Sequence, residues 1–277
     1  MRQREAEMLL RKIAFALAAL SLGSGEAKAQ SDAELLIAQY GFSFGQQFLG
    51  KVVRGKNIWK AFRQTSYEAV PSATLQYTGM KMVGQDYRLA LPSQLLMQKG
   101  AWFGRQSILG RPIFSQEALT SWELDYFWFN FRLRDGKVLP PRVNVATVGI
   151  SFYYDNVRLE WRRSLATGVV VLTSTNGRIG NRVGQAGSGV ILMRSPRYGD
   201  SFRHELVHTH QSIRGNAFSD PLLHQGDSQS RFLPFLRLNL GSLVGRVPAT
   251  LQEFFGEPAY YSQLHEWEAR AYANSPK

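Results

Sequence analysis

DSFRHELVHTHQSIRG, residues 200–215, reads as one amphipathic helix with a polar start and a glycine stop. Asp200 or Ser201 can cap the first turn, Leu206 and Val207 supply an apolar flank, and Gly215 ends the helix after Arg214. His204 and His208 stand four residues apart, so they share a face and can aim both imidazoles at one ion. Glu205 sits beside that ion. Its carboxylate can take a proton from water held there and pass it to a leaving amine. Zinc lowers the pKa of such a water to roughly 7, which is why this HExxH spacing carries chemistry. The expectation is a Zn2+ site with His204 and His208 as ligands and Glu205 as general base.

A third protein ligand is needed, because a working zinc site keeps its fourth position open. Gln211 stands three residues past His208, so no HExxHxxGxxH pattern follows and a third histidine on that spacing is excluded. The chain has no cysteine, which removes every thiolate ligand and every disulfide. A carboxylate from a later helix is the remaining route. Residues 263–273 read as that helix and offer both Glu266 and Glu268.

HELVHTHQ followed some sixty residues later by ExxA resembles the gluzincin class of zinc metallopeptidases, and most of all the small bacterial HExxHxxQ proteins. The resemblance covers residues 190–275. It implies that Glu266 is the third ligand and that Ala269 leaves room for close packing against the HExxH helix. Many members continue with Asp after that Ala. Here the residue is Arg270, which takes away a carboxylate that would steady a histidine ligand.

Other polar residues near the motif have plainer readings. His210, two past His208, points to another face and is expected at the surface or behind the ligands. His224 lies in a polar loop, and Tyr260 and Tyr261 read as aromatic packing; any of the three could also face an oxyanion. Gln211 is expected to orient a neighbour or bond the backbone.

Working outward, residues 67–189 read as a β-rich region. Trp122, Leu124, Tyr126 and Trp128 alternate with polar residues, and the apolar parity then moves to Phe127, Phe129, Phe131 and Leu133. Within one strand such a change reads as a β-bulge. Asp135-Gly136 supplies a turn, and a hairpin is expected around Asp155-Asn156 between Ile150–Tyr154 and Val157–Trp161. Val169–Leu172 reads as a short strand, and Val190–Met193 as an edge strand beside the site. Residues 30–66 read as helical, interrupted by glycines at 41, 45, 50 and 55. The expected class is therefore α+β: a β-rich N-terminal and central region, then a helical zinc-site region over 190–277.

Residues 1–29 read as a signal peptide. Arg11 and Lys12 precede an apolar run, Ile13 to Leu22, and Ala27-Lys28-Ala29 fits a cleavage site. That run is far short of the roughly 20 residues that span a bilayer, so a periplasmic or secreted protein without a transmembrane segment is expected. The net charge of +12 falls to about +10 without the five basic and three acidic residues of 1–29. Such a surplus suits an anionic envelope surface, yet its scatter along the chain shows no nucleic-acid motif. The leading expectation is a zinc-dependent hydrolase acting on peptide or protein substrates. Two others stand beside it: an envelope protein stapled by structural zinc, and a surface-associated β protein in which the motif is incidental.

Overall fold

The computed structural model describes residues 31–176, 184–195, 199–223, 235–237 and 268–273. Its architecture is α+β, with a helical first half. Ser31 Oγ accepts from the amide of Glu34, and the Glu34 carboxylate accepts in return from the amide of Ser31. This reciprocal cap starts α1, Asp32–Val53. Helix α2 spans Ile58–Gln85 behind an Asn57 cap, and α3 spans Ala90–Leu109, ending on Gly110 in the left-handed region at φ 74°.

Residues 67–109 are thus helical where strands were expected, and α2 runs straight across the expected boundary at 66/67. The reason lies in what these helices bury. Gln39, Ser43, Gln47, Gln76, Ser93, Gln94, Gln98 and Gln106 are inside, so the hidden faces carry no hydrophobic period to read. Gln39 Nε2 donates to Gln76 Oε1 at 2.6 Å and Ser43 Oγ donates to the same oxygen at 3.2 Å. Two of the supposed breakers, Gly41 and Gly45, lie within α1, and Gly50 is a contact point there: a Cβ on it would stand 2.8 Å from Ile108. Small residues let these helices approach closely.

Helix α4, Gln116–Thr120, follows. Lys99 closes its C-terminal end, donating to the carbonyls of Ala118, Leu119 and Ser121. Burial pulls that ammonium down to about 8.

The strands form two four-stranded sheets. The first holds β1 (Trp122–Tyr126), β2 (Phe129–Arg134), β3 (Lys137–Asn144) and β8 (Leu236–Arg237), in that order. The parity change at 126–129 is a hairpin: Tyr126 pairs with Phe129 across Phe127-Trp128, with Phe127 at φ 56°. A two-residue turn shifts parity as a bulge does, and the sequence pattern cannot separate them. Asp135-Gly136 is the expected turn, both residues at positive φ.

The second sheet has the order β4 (Val157–Leu159), β5 (Val170–Ser174), β7 (Val190–Met193), β6 (Gly184–Gly187). β5 and β7 are parallel and the outer pairings antiparallel. The expected hairpin at 155–156 is not one. Val145–Tyr153 forms helix α5, Asn156 turns at φ 56°, and β4 pairs with β5 across helix α6, Trp161–Thr167. β7 is interior, and β6 is the outer strand.

Helix α7, Gly199–Leu223, starts ahead of both expected caps and continues eight residues past Gly215. Gly215 costs helix propensity, but packing on both sides outweighs it. Phe202, Leu206 and Val207 bury against Val171, Ile191 and Met193 of the second sheet, and against Met80 and Val83 of α2. Val170, Leu172, Val190 and Leu192 face the other way, toward Phe127, Trp128, Ile150 and Tyr154. The sheet is a middle layer, with α7 on one face.

Charge locks the first sheet to the helices. Arg237 Nη1 donates to Asp125 at 2.6 Å, and its Nη2 stands 3.3 Å from Asp220 of α7 and 3.8 Å from Glu123. Arg105 of α3 bridges Glu123 at 3.1 Å and Asp220 at 3.5 Å. Arg142 lies 3.9 Å from Glu123 and donates to Asn130 Oδ1 at 2.7 Å. Burial alone would raise the Glu123 carboxyl, but Arg105, Arg237 and Arg142 bring it down to about 2.

Candidate metal centre

His204 and His208 sit one turn apart on α7, and their Nε2 atoms face each other 3.1 Å apart with the rings near perpendicular, at 88°. A tetrahedral zinc ion with Zn–N distances of about 2.0–2.1 Å holds two nitrogens about 3.3 Å apart. At 3.1 Å the two nitrogens are in hydrogen-bond contact, close to the separation that a shared ion would impose. Among the described residues no group of three or more His, Cys, Asp or Glu converges to hold a metal. Glu266, the third expected ligand, lies outside the described residues, as do His224, Tyr260 and Tyr261.

Glu268 itself is placed. Its two oxygens accept from Arg214 Nη1 at 2.7 Å and Nη2 at 2.9 Å, and Oε2 also accepts from Gln211 Nε2 at 2.8 Å. A carboxylate clasped on both oxygens by a guanidinium is committed to that pair. Among the described residues, both oxygens of Glu268 are engaged by Arg214 and Gln211.

The same contacts fix the state of His208. Gln211 turns its NH2 toward the Glu268 carboxylate. Gln211 Oε1 then faces His208 Nδ1 at 2.7 Å. That nitrogen must donate, which leaves the lone pair on Nε2, the atom facing His204. The chain continues away from the site: Arg214 Nη1 donates to Gln39 Oε1 at 2.9 Å, and its guanidinium lies 3.8 Å from the Phe42 ring centre. Histidine, amide, carboxylate, guanidinium and amide form one line from the site into the helical core.

Sequence reading leaves Gln211 open between orienting a neighbour and bonding the backbone; the structure selects the first. Arg214 and Gly184 escape that reading. Arg214 has a faint signal, standing three residues past Gln211 on the same helix. Gly184 has none. Its backbone lies against Glu205: a Cβ there would stand 2.8 Å from both Cγ and Oε1 of that glutamate. The outer strand β6 thus runs directly past the expected general base, which is itself mostly buried.

His210 is fully buried, contrary to a surface placement, with Nδ1 2.9 Å from the Leu206 carbonyl and its pKa lowered to about 4 by burial. Ala269 is fully buried and belongs to the same apolar cluster as Leu206 and Val207, so the 268–273 segment packs close to α7. Arg270 is exposed. Comparison with protein-family models, with curated proteins and with solved structures gives no match to this chain.

Proposed function

We propose that this chain is a zinc-dependent hydrolase, by its chemistry a metallopeptidase, exported by its N-terminal 29 residues. The observation that carries the reading is the meeting of two imidazole Nε2 atoms 3.1 Å apart, with Gln211 Oε1 2.7 Å from Nδ1 of one of them, where it can orient that ring. His204, His208 and Glu266 are the residues that would hold the ion. Bound zinc supplies Lewis acidity, making water a usable nucleophile near neutral pH.

The remaining chemistry belongs to the chain. Glu205, one residue past a ligand and walled by Gly184, accepts a proton from the attacking water and delivers it to the leaving amine nitrogen. Glu268, acting through Gln211, does for His208 what a carboxylate at position 270 would have done. The outer strand β6 offers an extended peptide a backbone to pair with beside that glutamate, which favours a peptide over a small ester as substrate. No helix among the described residues is long and apolar enough to cross a membrane.

The test pairs metal content with turnover of a protein substrate such as labelled casein. Wild type is expected to hold one zinc per chain, and His204→Ala, His208→Ala and Glu266→Ala each to lose it. Glu205→Gln should keep the metal and lower turnover by roughly 10²–10⁴-fold. Wild-type turnover in Glu205→Gln, or full zinc in His204→Ala, would overturn the proposal.

A further inference from the structure

The end of the helical body where α1 finishes, α2 begins and α3 finishes has a composition unlike the rest of the surface. Gly50 against Ile108 and Lys56 over Gly110 bring these three ends together. Trp59 is 79% exposed, Val53 67% and Phe114 65%, while Phe62, Tyr67 and Val70 continue the outward face of α2. At 100° per residue, Trp59, Phe62, Arg63 and Val70 share one side of that helix, over a length of about 16 Å. This is the reverse of an ordinary surface helix, whose apolar stripe faces inward. Over this first part of the helix the inward stripe is Ala61, Thr65, Ala69, Ser72, Ala73 and Gln76, and the large apolar side chains Met80 and Val83 are buried only toward its far end.

The exposed charges around Val53, Trp59 and Phe62 are basic. Residues 35–67 contain Lys51, Arg54, Lys56, Lys60 and Arg63 and not a single Asp or Glu. Lys51 is consumed in a buried bridge to Glu68 at 2.5 Å, which leaves Arg54, Lys60 and Arg63 exposed among the aromatic rings. The other exposed aromatic patch, Phe152, Tyr153 and Trp161, is different. It has Asp155 and Glu160 interleaved among its rings.

We infer that this end docks on an anionic lipid surface, with Trp59, Val53 and Phe62 entering the headgroup boundary and Arg54, Lys60 and Arg63 on the phosphates. Indole and phenyl rings with aliphatic neighbours suit the boundary between headgroups and acyl chains, and each basic residue adds attraction to a negative leaflet. Val53 and Val70 add exposed aliphatic surface beside the rings, which an acyl boundary buries and a stacked base does not use. The inference does not depend on the metal site.

Co-sedimentation of the full chain with vesicles tests it. Binding is expected to vesicles of phosphatidylglycerol with phosphatidylcholine, but not to phosphatidylcholine alone, and to weaken with salt. Lys60→Glu with Arg63→Glu should weaken binding by about tenfold or more. Trp59→Ser, whose side chain is outside the packed core, should weaken it several-fold, and Phe152→Ser should leave it unchanged. Failure of wild type to bind anionic vesicles overturns the proposal, as does wild-type affinity in the double variant. Binding to heparin or duplex DNA without binding to vesicles overturns it too, and would mark the end as a general polyanion surface.

Discussion

Two buried ionic systems meet the same helix, α7, and they end differently. Around Asp220, three arginines and three carboxylates from the first sheet, α3 and α7 face one another, and the group closes on itself. Around Arg214 there is one carboxylate and one guanidinium, and the line runs out through Gln211 to an imidazole nitrogen. Both hold distant parts of the chain together. Only the second reaches an imidazole of the HExxH motif. A buried ion pair is by itself weak evidence of function; what it is attached to decides.

The comparison breaks most forcefully at Arg237. Arg237→Ala leaves Glu123, Asp125 and Asp220 buried without their shared cation, which should cost about 3–5 kcal/mol of folding stability. Zinc affinity of the folded fraction should stay within about twofold, because Arg237 spends its guanidinium on those carboxylates and not on the line that ends at His208. Urea unfolding beside chelator competition separates the two quantities. A variant that unfolds normally but loses zinc would mean the two systems are one.

Acid should act on the closed group next. The folded Glu123 carboxyl sits at about 2 against an ordinary 4.5, so the unfolded chain binds the extra proton between those values. Its contribution is therefore complete above pH 4.5 and is lost as pH falls toward 2. The shift corresponds to something on the order of 3 kcal/mol. In Glu123→Gln, already less stable at neutral pH, that part of the acid slope should be missing. An identical slope in both proteins would show that Glu123 is not held low.

Gln211→Ala probes the open line. It removes the acceptor from His208 Nδ1 but leaves the Arg214–Glu268 pair intact. Zinc affinity should fall by about 10–100-fold, the usual effect of losing the group behind a ligand. The metal-free protein should lose about 1–3 kcal/mol of stability, the cost of buried partners left unpaired, so affinity is measured on the folded fraction. Unchanged affinity would reduce Gln211 to packing.

How much of this the amino-acid pattern discloses follows from where polarity is spent. His204, Glu205 and His208 are legible because a helical period and a chemical motif coincide. The strands at 129–139 and 170–174 are legible because Asp135-Gly136 marks a turn and Val169–Leu172 is uniformly apolar. The helices at 58–109 are hidden because glutamine, serine and glycine interrupt the apolar residues of their inner faces, such as Met80, Val83 and Met97, while Trp59 and Tyr67 point to solvent. Burial by amide hydrogen bonds leaves no apolar stripe along the helix, and a glycine at a helix contact looks like a glycine at a break. The link from Glu268 to Gln211 crosses 57 residues, a distance no local pattern spans.

Gly184 carries the smallest expected effect and the sharpest contrast, since it touches the proposed general base without touching either ionic system. An added methyl would meet Glu205 Cγ and Oε1 at 2.8 Å, so the buried side chain must shift as a whole. Gly184→Ala should cost about 1–2 kcal/mol of stability and leave zinc binding intact. The displaced carboxylate would no longer lie where the proton must go, so turnover should drop by about tenfold. Gly184→Ser should act in the same direction. A fall in zinc affinity instead would show that β6 presses on the ligands themselves, and that Glu205 and the imidazoles move together.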